Sequence, residues 1–530
     1  MGEFVYPAHF AASTPDKPAV IDTATGAVQT YADLVAGANR LVRLLREAGL
    51  RPGDHYVILA ENHLRYFELV WAGLNSGLYV TPVNSHLTAA EVAYLVNDST
   101  AKVVITTTAL AEVAEVAEVA EVAEVAEEIV ALTPGVVRRF MLDGTSPSYE
   151  SLDAAAARHS GEPEGEQVRG TFMLYSSGTT GRPKGIRYPL PDHPAADGDA
   201  ELLPSGRALF GLDAETVFLS PAPLYHAAPL RVSCLVHCTG GTVAIMPRFD
   251  AEAALRAIEQ YSVTSSQWVP TMFVRMLKLA PRIRSRYDLS SMRIAVHAAA
   301  PCPIEVKSRM IDWWGSIITE YYSGTENFGT TALSGEQWLE HPGSVGRPVG
   351  CTVHICDENG EELPVDEVGT VYFDTAAANF SYHRDPERTA AVSHRQHPSW
   401  HTLGDIGRLD ADGYLYLTDR RDFTIIAGGV NIYPREIEDV LILHPEVADV
   451  AAFGVPDTEL GEQVKAVVQP AHWADAGPEL TQRLLDHCKN RLAPYKWPRS
   501  IDFARELPRQ DNGKLYKKVL RDPYWAQVGR

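Results

Sequence analysis

The sequence predicts an α/β protein that ends in a compact α+β unit, and three observations carry that reading. The first 170 residues alternate helix-periodic and strand-like runs. An apolar strand-like run, Phe172 to Tyr175, feeds directly into a Gly/Ser/Thr-rich loop. From about residue 420 the pattern becomes short strands interleaved with two helices.

In chain order, Leu34 to Ala48 predicts a helix with Leu41, Leu44 and Leu45 on one face. His55 to Leu59 reads as a strand, Arg65 to Gly77 as a helix, Tyr79 to Val83 as a strand. Val103 to Thr107 is a β-branched strand. This alternation argues for a doubly wound α/β layer. Residues 111–125 are five copies of Ala-Glu-Val. A period of three drifts around a 3.6-residue helix, so a surface helix in a crossover position is expected. Residues 187–206 are rich in Pro, Asp and Gly and read as a mobile flap or loop. Glu215 to Met276 returns to alternating elements, and Val368 to Asp374 with Tyr414 to Thr418 suggests an antiparallel patch. The last unit holds a helix at Pro434–Leu443, strands at Val447–Phe453 and Val464–Gln469, and a helix at Leu480–Leu492. The expected boundary falls between Thr418 and Asp422.

Bulk properties narrow the function classes. The chain has 530 residues, 45% apolar and 22% charged, ordinary for a soluble globular protein. A net charge of −21 argues against nucleic acid and anionic membranes as partners. The N-terminal residues carry no secretory pattern, and no apolar run approaches the ~18 residues of a membrane span. Six scattered cysteines without a CxxC pair fit a reducing compartment, so a cytoplasmic location is expected.

The loop at Ser176, Ser177, Gly178, Thr179, Thr180, Gly181 and Lys184 carries the most chemistry. Its glycines admit close backbone approach, its N–H groups and hydroxyls make an anion nest, and the lysine adds charge. A grip on a polyphosphate follows, although the spacing is not the Walker pattern.

Four further clusters are each open to a plain structural reading alone. Tyr322-Ser323-Gly324-Thr325-Glu326 offers an aromatic ring for a purine, a hydroxyl for phosphate and a carboxylate for Mg²⁺. Upstream, Ala298-Ala299-Ala300-Pro301 is a small-residue loop against which a flat base could lie. Gly404-Asp405 supplies a carboxylate suited to ribose hydroxyls, and Arg420 could reach the same sugar. Gly428 and Gly429 precede Val430-Asn431-Ile432-Tyr433-Pro434, either as a narrow passage or as a turn into the helix. Asp511-Asn512-Gly513-Lys514 puts a lysine straight after a turn.

Together and in this order, the clusters resemble the ANL superfamily of adenylate-forming enzymes, over residues 10 to 522. The phosphate loop and the Gly-Gly-Val-Asn-Ile-Tyr-Pro-Arg-Glu-Ile-Glu stretch are its most specific marks. Pro223-Leu-Tyr-His226, Ser266-Gln-Trp-Val-Pro-Thr-Met-Phe273 and His341-Pro-Gly-Ser-Val-Gly-Arg347 look most like bacterial CoA ligases for fatty, bile-acid and steroid carboxylates. The resemblance implies a large N-terminal domain of layered α/β subdomains plus a β-barrel-like patch, residues 1–419. It implies a small mobile C-terminal domain, residues 420–530, hinged near Asp422.

It further implies that Ser176 to Lys184 clamp the β,γ-phosphates, that Ala299, Ala300 and Tyr322 hold adenine, and that Thr325 meets the α-phosphate. Glu326 would bind Mg²⁺, Asp405 and Arg420 the ribose, and Lys514 would serve adenylation. Gly428 and Gly429 would line the pantetheine tunnel. The acyl pocket would lie near His226, Trp268, Val269, Phe273, His297 and Gly324, with His226 equally readable as a packed core histidine. Substrates would be ATP, CoA and a bulky hydrophobic carboxylic acid. Enzymes of a single half-reaction, or loading a separate carrier protein, stay open, as does a homodimer.

Overall fold

The computed structural model describes residues 6–108, 121–165, 167–176, 183–195, 203–375, 380–420, 423–428, 430–509 and 515–526. The chain forms two compact units, the first made of residues 1–268, 279–296 and 379–390, the second of 269–278, 297–378 and 391–530.

The first unit holds two sheets. In one, six parallel strands run in the order Thr171–Ser176, Tyr79–Val83, His55–Leu59, Val103–Thr106, Arg138–Met141 and Glu150–Ser151. Lys184–Arg187 and Ser381–Tyr382 extend it antiparallel beyond Thr171–Ser176. The central strands are buried along their whole length, as parallel strands covered on both faces are. The helix Tyr31–Glu47 starts at a Thr30–Asp33 capping box and buries Leu41, Leu44 and Leu45 as its periodicity requires. In the other sheet, Ser265–Trp268, Val217–Ser220, Thr242–Ile245 and Pro18–Asp22 run parallel, with Val28–Thr30 antiparallel at the edge.

One sequence expectation needs revision here, and another gains detail. The described end of the triplet repeat lies in the helix Glu121–Leu132, whose Val125, Ala126 and Ile129 are buried in the core beside Val92, Val96 and Val104. It is thus a core-facing helix, because the sequence after the repeat restores an apolar face. Residues 109–120 lie outside the described residues. The flap is also tied down in part: Ala195 N–H donates to Gln167 O and Arg169 N–H to His193 O. Its end enters the helix Leu203–Phe210.

The second unit contains the antiparallel meander Ile318–Ser323, Thr330–Leu333 and Arg347–Val349. The antiparallel patch is a five-stranded sheet of Thr352–Cys356, Gly369–Asp374, Trp400–His401, Asp405–Leu409 and Leu415–Arg420. The α+β portion is built on the long hairpin Val447–Asp457 and Gly461–Pro470. Helices Pro434–Leu441 and Pro478–Lys489 pack on it, burying Ile437, Leu441, Leu480 and Leu484. Pro434 occupies the first helical turn, where its missing N–H costs nothing.

Candidate active site

In the first unit the loop expected to grip polyphosphate joins two antiparallel strands. Ser176 is paired with Lys184, Tyr175 with Gly185 and Leu174 with Ile186. The ladder therefore holds both ends of the loop at one register. Ser177, Gly178, Thr179, Thr180 and Gly181 lie outside the described residues. Lys184 Nζ stands 5.2 Å from the Tyr382 ring centre. His226 caps the helix Ala227–Thr239 with its backbone, its ring 4.5 Å from that of Tyr225. Trp268 is buried, and its indole N–H donates to Ser266 Oγ at 2.6 Å.

In the second unit the nucleotide candidates converge. Tyr322 emerges near the end of the strand Ile318–Ser323, and its hydroxyl donates to Asp405 Oδ2 at 2.6 Å. Asp405 is 7% exposed and opens its own strand, where it is the cross-strand neighbour of Arg420. The proposed adenine ring partner and ribose carboxylate thus share one spot. Ala299 has φ of +73°. A left-handed alanine costs roughly 1–2 kcal/mol, strain of the kind found where backbone geometry serves a ligand. It follows the strand Ile294–His297, with Ala300 next in the turn.

Gly324, Thr325 and Glu326 form the turn after Tyr322, closed by Asn327 N–H donating to Gly324 O at 3.0 Å. A Cβ on Gly324 would stand 2.5 Å from Leu403 Cδ2, so a larger residue there would have to displace that side chain. One carboxylate with a neighbouring hydroxyl fits Mg²⁺ carried on a nucleotide, since that ion keeps water and phosphate ligands.

Val269 precedes the helix Pro270–Leu277, which buries Phe273. The Phe273 ring meets His297 edge to face at 5.5 Å. His297 is wholly buried, and desolvation together with the nearby Lys307 charge holds its pKa well below the ordinary value. Gly428 has φ of +58° in the turn between Ile425–Ala427 and Val430–Ile432, which only glycine enters freely. Asp422, Gly429 and Lys514 lie outside the described residues.

Sequence reasoning missed Lys307 and Glu320, a buried ion pair beside these groups. The signal was present: Lys307 sits within the apolar stripe Val306, Met310 and Ile311 of its helix.

The chain is similar to known proteins over nearly its whole length. The model of the AMP-binding enzymes matches residues 8–381, and that of the AMP-binding enzyme C-terminal domain matches 436–514. The chain belongs to the AMP-binding enzyme family and, within the ANL superfamily, to the AMP-forming acyl-CoA synthetases. It is 35% identical to a feruloyl-CoA synthase of Amycolatopsis over 94% of both chains. It is 31% identical to a long-chain-fatty-acid–CoA ligase of Mycobacterium tuberculosis, over 98% of this chain and 97% of that one. Among solved structures, o-succinylbenzoate CoA synthetase of Bacillus subtilis, in complex with its acyl-adenylate intermediate, superposes with a TM-score of 0.79 at 26% identity, covering 97% of each chain. Among the described residues, no helix is long and apolar enough to cross a membrane.

Proposed function

We propose that this enzyme activates a bulky hydrophobic carboxylic acid as its acyl-adenylate and then transfers the acyl group to CoA. The observation that supports the reading is the Tyr322–Asp405 hydrogen bond beside the Thr325–Glu326 turn, which brings together residues suited to base, sugar and phosphate. In this reading Ala299, Ala300 and Tyr322 hold adenine, Asp405 and Arg420 the ribose, and Ser176 to Lys184 the outer phosphates.

A substrate carboxylate must approach a triphosphate, and two anions about 4 Å apart repel by roughly 4 kcal/mol at an effective dielectric near 20. Lys514 offsets that repulsion and stabilises charge on the transferring phosphorus. Glu326 would hold Mg²⁺, which when bound would neutralise charge on the phosphates as a Lewis acid. The carboxylate oxygen attacks the α-phosphorus, forming the mixed anhydride and releasing pyrophosphate. Residues 420–530 then rotate near Asp422, withdrawing Lys514 and admitting the pantetheine thiol past Gly428 and Gly429. The thiol attacks the acyl carbon and AMP leaves. Apolar Trp268, Val269 and Phe273, read with His226, His297 and Gly324 as acyl contacts, suit a greasy acid. The names of the feruloyl and long-chain relatives support an apolar acid of either kind.

The test is mass detection of acyl-CoA after incubation with ATP, Mg²⁺, CoA and a panel of hydroxycinnamic, long-chain, terpenoid and steroid acids. Product with at least one acid is expected, together with loss of pyrophosphate exchange by at least about a hundredfold in Lys514→Ala. Absence of AMP release with every acid would refute the reading. Thioester formed on a carrier protein but never on free CoA would redirect it.

A further inference from the structure

A buried charge cluster adjoins the two segments assigned to adenine. Lys307, on the helix Ile304–Trp314, is wholly buried and donates from Nζ to Glu320 Oε2 at 2.6 Å. His297 Nε2 lies 3.4 Å from that same oxygen, and neither ring nitrogen of His297 has a hydrogen-bond partner. Lys307 Nζ also stands 5.0 Å from the ring centre of buried Trp338.

Stability alone does not account for such a cluster. A buried ion pair is often no better than apolar residues of the same volume, because desolvation offsets the attraction. An under-satisfied buried histidine adds to the cost. Its members share one relation to the site, however. His297 ends the strand Ile294–His297, and Ala299 and Ala300 follow at once. Glu320 lies two residues before Tyr322 on one strand, so both side chains leave the same face. Glu320 therefore lies between Lys307 and His297, on the strand next to Ile294–His297, so the cluster borders both the left-handed Ala299 turn and Tyr322.

We propose that Lys307, Glu320 and His297 form a positioning cluster that fixes the spacing between the Ala299–Ala300 turn and Tyr322, and thereby the affinity for the adenine of ATP. The inference rests on the assignment of ATP to this site. Holding two segments in register without contacting the ligand is a role an ion pair fills better than apolar packing, since it specifies one partner and one direction.

The experiment uses the full chain with Glu320→Gln, which keeps the shape of the carboxylate, and the double variant Lys307→Met/Glu320→Leu, which removes both charges. Steady-state constants are measured for ATP, CoA and the best acid, with circular dichroism to confirm folding. In both variants KM for ATP should rise about tenfold, with kcat and the KM values for CoA and acid within about twofold of the parent. If only one variant folds, its KM for ATP decides. An ATP KM within about twofold of the parent, an equal rise for all three substrates, or loss of fold in both variants would overturn the proposal. Parent enzyme with no ATP-dependent turnover would instead refute the functional reading, and this inference with it.

Discussion

Two buried carboxylates, one in each unit, solve the same electrostatic problem differently. Glu68, on the helix Tyr66–Leu74, is 4% exposed and has donors on both oxygens. Arg65 donates to Oε1 at 3.0 Å and to Oε2 at 2.9 Å, and Gln29 adds a bond to Oε1 at 2.5 Å. Gly37 lies against it so closely that a Cβ there would stand 2.6 Å from Oε2. Glu320, equally buried, has one ammonium at 2.6 Å and a histidine with no hydrogen bond. In the first network both carboxylate oxygens have donors, though Gln29 Oε1 has no partner, and it joins a helix to the sheet edge. The second is open and borders the nucleotide candidates. A satisfied buried network rigidifies a core, whereas an under-satisfied one is retained where a particular arrangement matters.

The comparison breaks most directly at Arg65. Arg65→Ala leaves Glu68 buried without its guanidinium, which costs about 3–5 kcal/mol. Chemical denaturation should show that loss, while KM for ATP in the remaining folded enzyme stays at the parent value. A shift in KM for ATP comparable to that of Glu320→Gln would erase the distinction between the two clusters.

Tyr322→Phe sharpens the other side. It removes a short hydrogen bond to the Asp405 carboxylate, an interaction with a charged group worth about 1.5–3 kcal/mol. Part of that should appear as a rise in KM for ATP of about tenfold, with little change in denaturation midpoint because Tyr322 is only partly buried. A pure stability loss with unchanged KM would mean that the ring packs against Phe373, 5.8 Å away, and does nothing for the ligand.

How much of this was legible in the sequence follows from the range of each interaction. The strands His55–Leu59 and Tyr79–Val83 fell at the expected residues, because a short, mostly apolar run bounded by turn residues is a local signal. The loop before Lys184 offers its anion-binding residue types within nine residues, so its proposed role could be read locally. The Tyr322–Asp405 contact joins positions 83 residues apart, so only the resemblance paired them. Lys307 and Glu320 are just 13 residues apart, but across a helix and a strand whose packing no periodicity reveals. The Ala-Glu-Val repeat misled in the opposite way. Its drift around the helix hid the apolar stripe that Val125, Ala126 and Ile129 recover near its end.

Acidification probes the core side of the comparison last and most gently. His237 is wholly buried; it accepts from the Trp71 indole at Nδ1, 3.2 Å away, while Nε2 faces Ala19 O at 3.1 Å. Burial lowers its pKa to about 4, and His55, stacked on Tyr79, is lowered to about 4 chiefly by burial as well. An unfolded imidazole titrates near 6.5. Between about pH 6.5 and 4, then, the unfolded chain binds protons that the folded one refuses, so stability is complete above that window and declines as pH falls through it. Each such histidine contributes a slope of up to about 1.4 kcal/mol per pH unit. Denaturation midpoints should be level from about pH 8 to 7 and then fall. His237→Phe, less stable at neutral pH for want of an acceptor for Trp71, should lose about one proton's worth of that slope. A variant whose midpoint declines as steeply as the parent's would show that His237 is protonated in the fold, and that the core around Trp71 is open to water.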